Sequence, residues 1–130
     1  MSPTVDGPLV LVAEDEPQLL RLVERLLLRA GYAVVSASDG DAAQQICAER
    51  GSEIRVAVLD AAIVPRGAGE IARAVAALQR EVGLVLTSGE ALDDPLRELL
   101  KSHDGVFLRK SFPPEALLRA VGESQILEVP

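Results

Sequence analysis

The chain has 130 residues, 20 of them acidic and 13 basic, giving a formal charge of −7 and a pI near 4.7. That length suits one domain with a sizeable core, and 48% hydrophobic with 25% charged residues is globular rather than disordered or fibrous composition. Net acidity argues against nucleic acid or a membrane surface as a direct partner, and an aromatic share of 2% leaves an aliphatic core.

Residues 9–13 form an unbroken apolar run ending in Glu14-Asp15-Glu16, the pattern of a parallel-sheet strand covered on both faces. After Pro17, which suits a helix's first turn, Leu19, Leu22, Val23, Leu26, Leu27 and Ala30 recur at helical spacing up to Gly31. A second strand is predicted over 32–37. Ser38-Asp39-Gly40 then punctuates the chain before a helix over 41–50, closed by Gly51. The third strand, 55–59, ends at Asp60, and a loop with Pro65, Gly67 and Gly69 leads to a helix over 70–80. The fourth strand, 82–86, ends at Thr87-Ser88-Gly89 and is followed by a short helix over 95–102. The fifth, 106–108, ends at Arg109-Lys110; Pro113-Pro114 opens a last helix reaching Val121, and residues 122–130 are expected as a loosely held tail.

Strands alternating with helices require crossover connections, hence a parallel sheet with helices on both faces. The expected fold is α/β, a three-layer open sandwich of five β-α units in the flavodoxin-like strand order 2-1-3-4-5, as one domain over 1–130 with its core at about 8–123. A closed eight-unit barrel needs about twice this length. Apolar runs fall far short of the roughly 20 residues that span a bilayer, and residues 1–6 lack a secretory pattern, so a cytoplasmic location is expected. The one cysteine, Cys47, excludes an intramolecular disulfide and a multi-cysteine metal site. It reads as a small buried hydrophobe. His103, the one histidine, has no second soft ligand nearby to make a zinc site.

In such a sheet, ligands bind beyond the carboxyl ends of the strands where the strand order reverses. The residues at those ends are Glu14 and Asp15, Asp60, Thr87 with Ser88, and Arg109 with Lys110. Carboxylates brought together repel, so the cluster calls for raised proton affinity or a neutralising cation. Oxygen-only donors favour a hard ion, and Mg²⁺ binds through few carboxylates while pairing with phosphate. Lys110 and Thr87 offer a positive charge and a hydroxyl to a phosphoryl group, which suggests phosphoryl transfer onto Asp60 as nucleophile. Taken alone, Glu14–Glu16 also reads as an acidic cap on the next helix, Lys110 as a surface lysine and Phe107 as a core residue. Asp60 is harder to explain so blandly, because a charge after a buried strand is costly without partners.

These residues resemble the receiver domains of two-component response regulators over essentially the whole chain. Leu11-Val12-Ala13-Glu14-Asp15-Glu16-Pro17 is similar to the family's acidic pair, Val58-Leu59-Asp60 to its phosphoacceptor strand, Thr87-Ser88-Gly89 to its hydroxyl residue, and Phe107-Leu108-Arg109-Lys110 to its switch aromatic and lysine. The resemblance implies that Asp60 accepts phosphoryl from a phosphohistidine on a sensor histidine kinase or histidine phosphotransfer protein. It implies Mg²⁺ on Asp15, Asp60 and the backbone carbonyl of Ala62, with Glu14 nearby or acting through water, and Thr87 and Lys110 on the phosphoryl oxygens. Thr87 and Phe107 would switch the face made by the fourth helix, fifth strand and fifth helix, which would meet a downstream protein target. The chain would then be no enzyme beyond an autocatalytic phosphoacceptor that dephosphorylates itself; the alternative is a pseudo-receiver, a binding module that is not phosphorylated.

Two departures stand out. Pro65 and Gly69 each lie one residue further past Asp60 than in the family's pattern, so the extra residue either displaces the Ala62 carbonyl or enlarges the turn beyond it. Ser111 follows Lys110 where the family usually has a proline after a cis bond; a cis bond before serine costs roughly 3 kcal/mol, so trans is expected. Gly67-Ala68-Gly69-Glu70-Ile71-Ala72 fits a dinucleotide-binding pattern, but it stands after the third strand, and the chain is too short for two nucleotide-binding halves. Ala62 takes the place where an aspartyl-nucleophile phosphatase of the haloacid-dehalogenase type has its second aspartate.

Overall fold

A computed structural model describes residues 7–78 and 81–125. Five strands, β1 (Leu9–Ala13), β2 (Ala33–Ala37), β3 (Ile54–Asp60), β4 (Gly83–Ser88) and β5 (Val106–Arg109), alternate with five helices. These are α1 (Pro17–Arg29), α2 (Gly40–Arg50), α3 (Gly67–Leu78), α4 (Asp94–Ser102) and α5 (Pro114–Ser124). All strand pairs are parallel, in the expected order β2-β1-β3-β4-β5. Among the described residues no helix is long and apolar enough to cross a membrane.

Side chains alternate between the two faces of a strand, and here each face feeds its own core. Leu9, Leu11, Ala13, Ala57, Leu59, Leu84 and Leu86 pack with Ala43 and Cys47 of α2 and Ile71 and Val75 of α3. Val10, Val12, Val56, Val58, Val85 and Leu108 pack with Val23 and Leu27 of α1 and Leu117 and Val121 of α5. Cys47 is buried in the first core. Each leucine, isoleucine or valine among them contributes about 1.5–3 kcal/mol when fully buried, which is why unbroken apolar runs form the central strands. Local chemistry sets the helix starts. Pro17 begins α1, and Asp39 and Asp93 accept from the backbone amides of Ala42 and Leu96, at 2.7 and 3.0 Å, capping α2 and α4.

The boundaries differ from the sequence pattern where tertiary contacts intervene. Tyr32 lies before β2, its amide donating to the Leu27 carbonyl at 3.0 Å to close the turn after α1. Helix α3 starts at Gly67 rather than 70, because Gly67, at φ +65°, makes a bend that glycine adopts without strain and donates to the Ile63 carbonyl at 2.9 Å. The predicted end of α3 at Arg80 lies outside the described residues. Helix α5 continues through Gly122 to Ser124, so residues 122–124 are not part of a loose tail. Buried Ser124 bonds to the Val121 carbonyl at 2.9 Å and packs so closely on Gly83 that a Cβ there would lie 2.5 Å from the Ser124 oxygen. Residues 126–130 of that expected tail lie outside the described residues.

Candidate functional site

The alternation that divides the cores also aims the polar residues at the strand ends. Val12, Val58, Val85 and Leu108 all face α1 and α5, so the residues two further on, Glu14, Asp60, Thr87 and Lys110, carry the same parity. Register brings them level, since Ala13 pairs with Leu59 and Asp60 with Thr87. Four residues from four strands thus meet at the carboxyl edge of the sheet, above the α1/α5 core.

Glu14 is 4% and Asp60 5% exposed, burial that a carboxylate tolerates only with partners. The Lys110 ammonium is that partner: its Nζ lies 3.0 Å from Glu14 Oε1 and 3.5 Å from Asp60 Oδ2. The other Glu14 oxygen accepts from the Glu16 amide at 3.1 Å, and Asp60 Oδ1 accepts from the Ala62 amide at 3.1 Å. Backbone bonds fix the frame. The Glu14 amide donates to Ala37 at 3.0 Å, Ala61 to Thr87 at 2.8 Å and Lys110 to Ser88 at 2.8 Å. Burial pushes the Glu14 carboxyl above the ordinary carboxylate range, the Lys110 and Glu16 hydrogen bonds offset part of that rise, and the Asp60 charge adds to it. Partial burial pulls Lys110 down, but the hydrogen bond and charge of Glu14, with those of Asp60, outweigh it and hold the ammonium above the usual lysine value.

Asp15 is exposed and completes the cluster: one carboxylate oxygen from each of Glu14, Asp15 and Asp60 lies within 4.8 Å of the others. Three carboxylates facing one ammonium leave uncompensated negative charge. An all-oxygen set at this spacing, open on the Asp15 side, fits a hard divalent cation such as Mg²⁺ that keeps some of its waters. Thr87 is 4% exposed beside Asp60.

Ala62 is an exposed loop residue. The Ile63 amide donates to the Asp60 carbonyl at 3.1 Å, closing a tight turn directly after Asp60. The Lys110–Ser111 bond is cis, against the trans expectation from serine; the local preference of an X-Ser bond does not decide here. Phe107 is 36% exposed, on the outside of β5 rather than in either core. His103 caps the end of α4, with Nδ1 2.9 Å from the Leu99 carbonyl, and stands apart from the acidic cluster. Arg73, Arg97 and Arg119 are exposed on their helices, and Arg80 lies outside the described residues. Sequence reading missed the Ala37 and Ser88 carbonyls, which hold Glu14 and Lys110 in place; backbone acceptors leave no mark in residue type.

Residues 10–122 match the family model of the response regulator receiver domain. No curated protein matches the chain. Among solved structures it is similar to a response regulator receiver protein from Sinorhizobium medicae WSM419, with 27% identity and a TM-score of 0.79 over 92% of this chain and 95% of that one. It is also similar to chemotaxis protein CheY4 of Vibrio cholerae, at 22% identity and TM-score 0.78 over 91% and 98%. A third is a CheY-like receiver domain protein from Methanospirillum hungatei JF-1, at 19% and 0.77 over 91% and 93%. The last two likenesses speak to the fold alone.

Proposed function

The chain belongs to the response regulator receiver domain family of two-component systems, and from that premise we propose that it is a phosphoacceptor, one receiver domain over 1–130 with its core at about 8–123. Asp60 attacks the phosphorus of a phosphohistidine on a sensor histidine kinase or histidine phosphotransfer protein. A P–O bond forms as the P–N bond breaks, and the imidazole leaves with the electron pair. One observation carries this reading: a nucleophile-bearing strand end whose buried carboxylate lies 3.5 Å from an ammonium and within 4.8 Å of two further carboxylates.

Asp15 and Asp60, with the Ala62 carbonyl and with Glu14 nearby or acting through water, would hold Mg²⁺, which when bound would neutralise charge on phosphoryl oxygens. Lys110 supplies a fixed positive charge at the same oxygens. Its ammonium exchanges part of its bond to Glu14 for the phosphoryl group, and Thr87 donates its hydroxyl. Phe107, lying outward on β5, and Thr87 turn toward the modified site and alter the α4–β5–α5 face, which meets a downstream protein target in the cytoplasm. Turnover is limited to gain of the phosphoryl group and its own hydrolysis.

Acetyl phosphate with Mg²⁺, followed by intact mass, tests this. Wild type is expected to gain one phosphoryl group and Asp60→Asn none. Equal uptake by the variant rejects Asp60 as acceptor. Wild type that takes up neither phosphoryl nor Mg²⁺ is instead a pseudo-receiver that acts by binding alone.

A further inference from the structure

The loop between β3 and α3 carries Ala61 and Ala62 directly after Asp60, and its near end is tied to the sheet by the Ala61–Thr87 bond. Its far end is held differently. The Gly40 amide donates to the Val64 carbonyl at 2.8 Å, and a Cβ on Gly40 would lie 2.7 Å from the Arg66 nitrogen, so the start of α2 sits directly on the backbone of the loop. The Arg66 guanidinium then reaches two carboxylates: Nε donates to Asp41 Oδ1 at 3.0 Å and Nη1 to Glu70 Oε1 at 3.3 Å. Asp41 stands in the first turn of α2 and Glu70 in that of α3, where acidic residues also suit the helix dipoles. A planar fork can hold two carboxylates in fixed directions at once, which a lysine ammonium does less well.

We propose that Arg66 is a positioning residue for the phosphorylation site: by joining the first turns of α2 and α3 it fixes the lengthened loop, and with it the Ala61–Ala62 backbone beside Asp60. The inference rests on the receiver reading given above. Folding alone asks little of this contact, since the side chains of Arg66 and Asp41 are 44% and 65% exposed and such pairs add little stability. What the contact can set instead is where the loop lies, through the two helix starts that it joins.

The test uses the full chain as wild type, Arg66→Ala, Arg66→Lys, Asp41→Ala and the Arg66→Ala/Asp41→Ala double variant. Four quantities are measured: Mg²⁺ affinity from titration of amide NMR shifts, the rate of acetyl phosphate uptake by intact mass, amide exchange at Gly40 and Gly67, and thermal midpoint. Each alanine variant is expected to weaken Mg²⁺ binding and slow uptake about threefold, the scale of an exposed ion pair. The double variant should do no worse than the poorer single one, and Arg66→Lys should fall between. Exchange at Gly40 and Gly67 should quicken and the Ala62 amide resonance should move. Unchanged Mg²⁺ affinity and uptake in Arg66→Ala, with or without a lower midpoint, overturns the proposal. So does unchanged exchange at Gly40 and Gly67. Wild type that takes up neither Mg²⁺ nor phosphoryl overturns the receiver reading instead, a result read on the wild-type chain before any variant is compared.

Discussion

The middle of each central strand and its carboxyl end differ sharply, although only a few residues separate them. Leu11 and Leu59 are wholly buried among aliphatic neighbours and contribute through area removed from water and through close packing. Glu14 and Asp60 are nearly as buried, yet their desolvation opposes folding, and what offsets it is the charge and hydrogen bonding of a lysine rather than packing. The middle is held by apolar packing and the end by paired charge. The comparison teaches that burial alone does not identify a core residue; what it is buried with does.

Changes at the two regions should therefore separate stability from reactivity. Leu11→Ala, in the middle of β1, should lower unfolding free energy by about 3 kcal/mol through lost transfer energy and a cavity, measured by urea denaturation. Its folded fraction should still accept phosphoryl from acetyl phosphate at close to the wild-type rate; a collapse of uptake in folded protein would blur the division. Lys110→Met acts at the other region, removing the one ammonium beside Glu14 and Asp60. It should slow uptake about a hundredfold, equivalent to ~2.7 kcal/mol in the barrier, and uptake at the wild-type rate would remove Lys110 from the chemistry. Smaller still is the effect of the ion. Mg²⁺ at ten times its dissociation constant should stabilise the protein by about 1.4 kcal/mol, seen as a higher thermal midpoint that EDTA reverses and Asp15→Asn greatly reduces. Phe107→Ala, on the outside of β5, should change stability by only about 0.5 kcal/mol while leaving uptake of phosphoryl intact, and a larger loss would assign Phe107 to the core after all.

Much of this was legible because apolar runs and turn residues follow simple geometry. Leu9–Ala13 and the run before Asp60 suit strands covered on both faces, and once the sheet is parallel their order sends Glu14, Asp15 and Asp60 to one edge. What escaped is set by contacts between distant segments. Gly67 opens α3 early through a bond back to Ile63, and α5 runs on past Gly122 to pack Ser124 on Gly83. Neither contact is written in local propensity. The cis Lys110–Ser111 bond and the reach of Arg66 to Asp41, 25 residues away in sequence, are likewise invisible until the chain is folded.

Because each strand sends consecutive side chains into different cores, the molecule is far more exposed to insertions and deletions than to substitutions. Losing a single residue within β3 acts like a frameshift in three dimensions. Every side chain between the deletion and a strand end exchanges its lining for the opposite one, and Asp60 is carried to the α2–α4 side, away from Lys110. The segment after Asp60 obeys no such parity, so diversity in chain length can accumulate there while the strands keep their count.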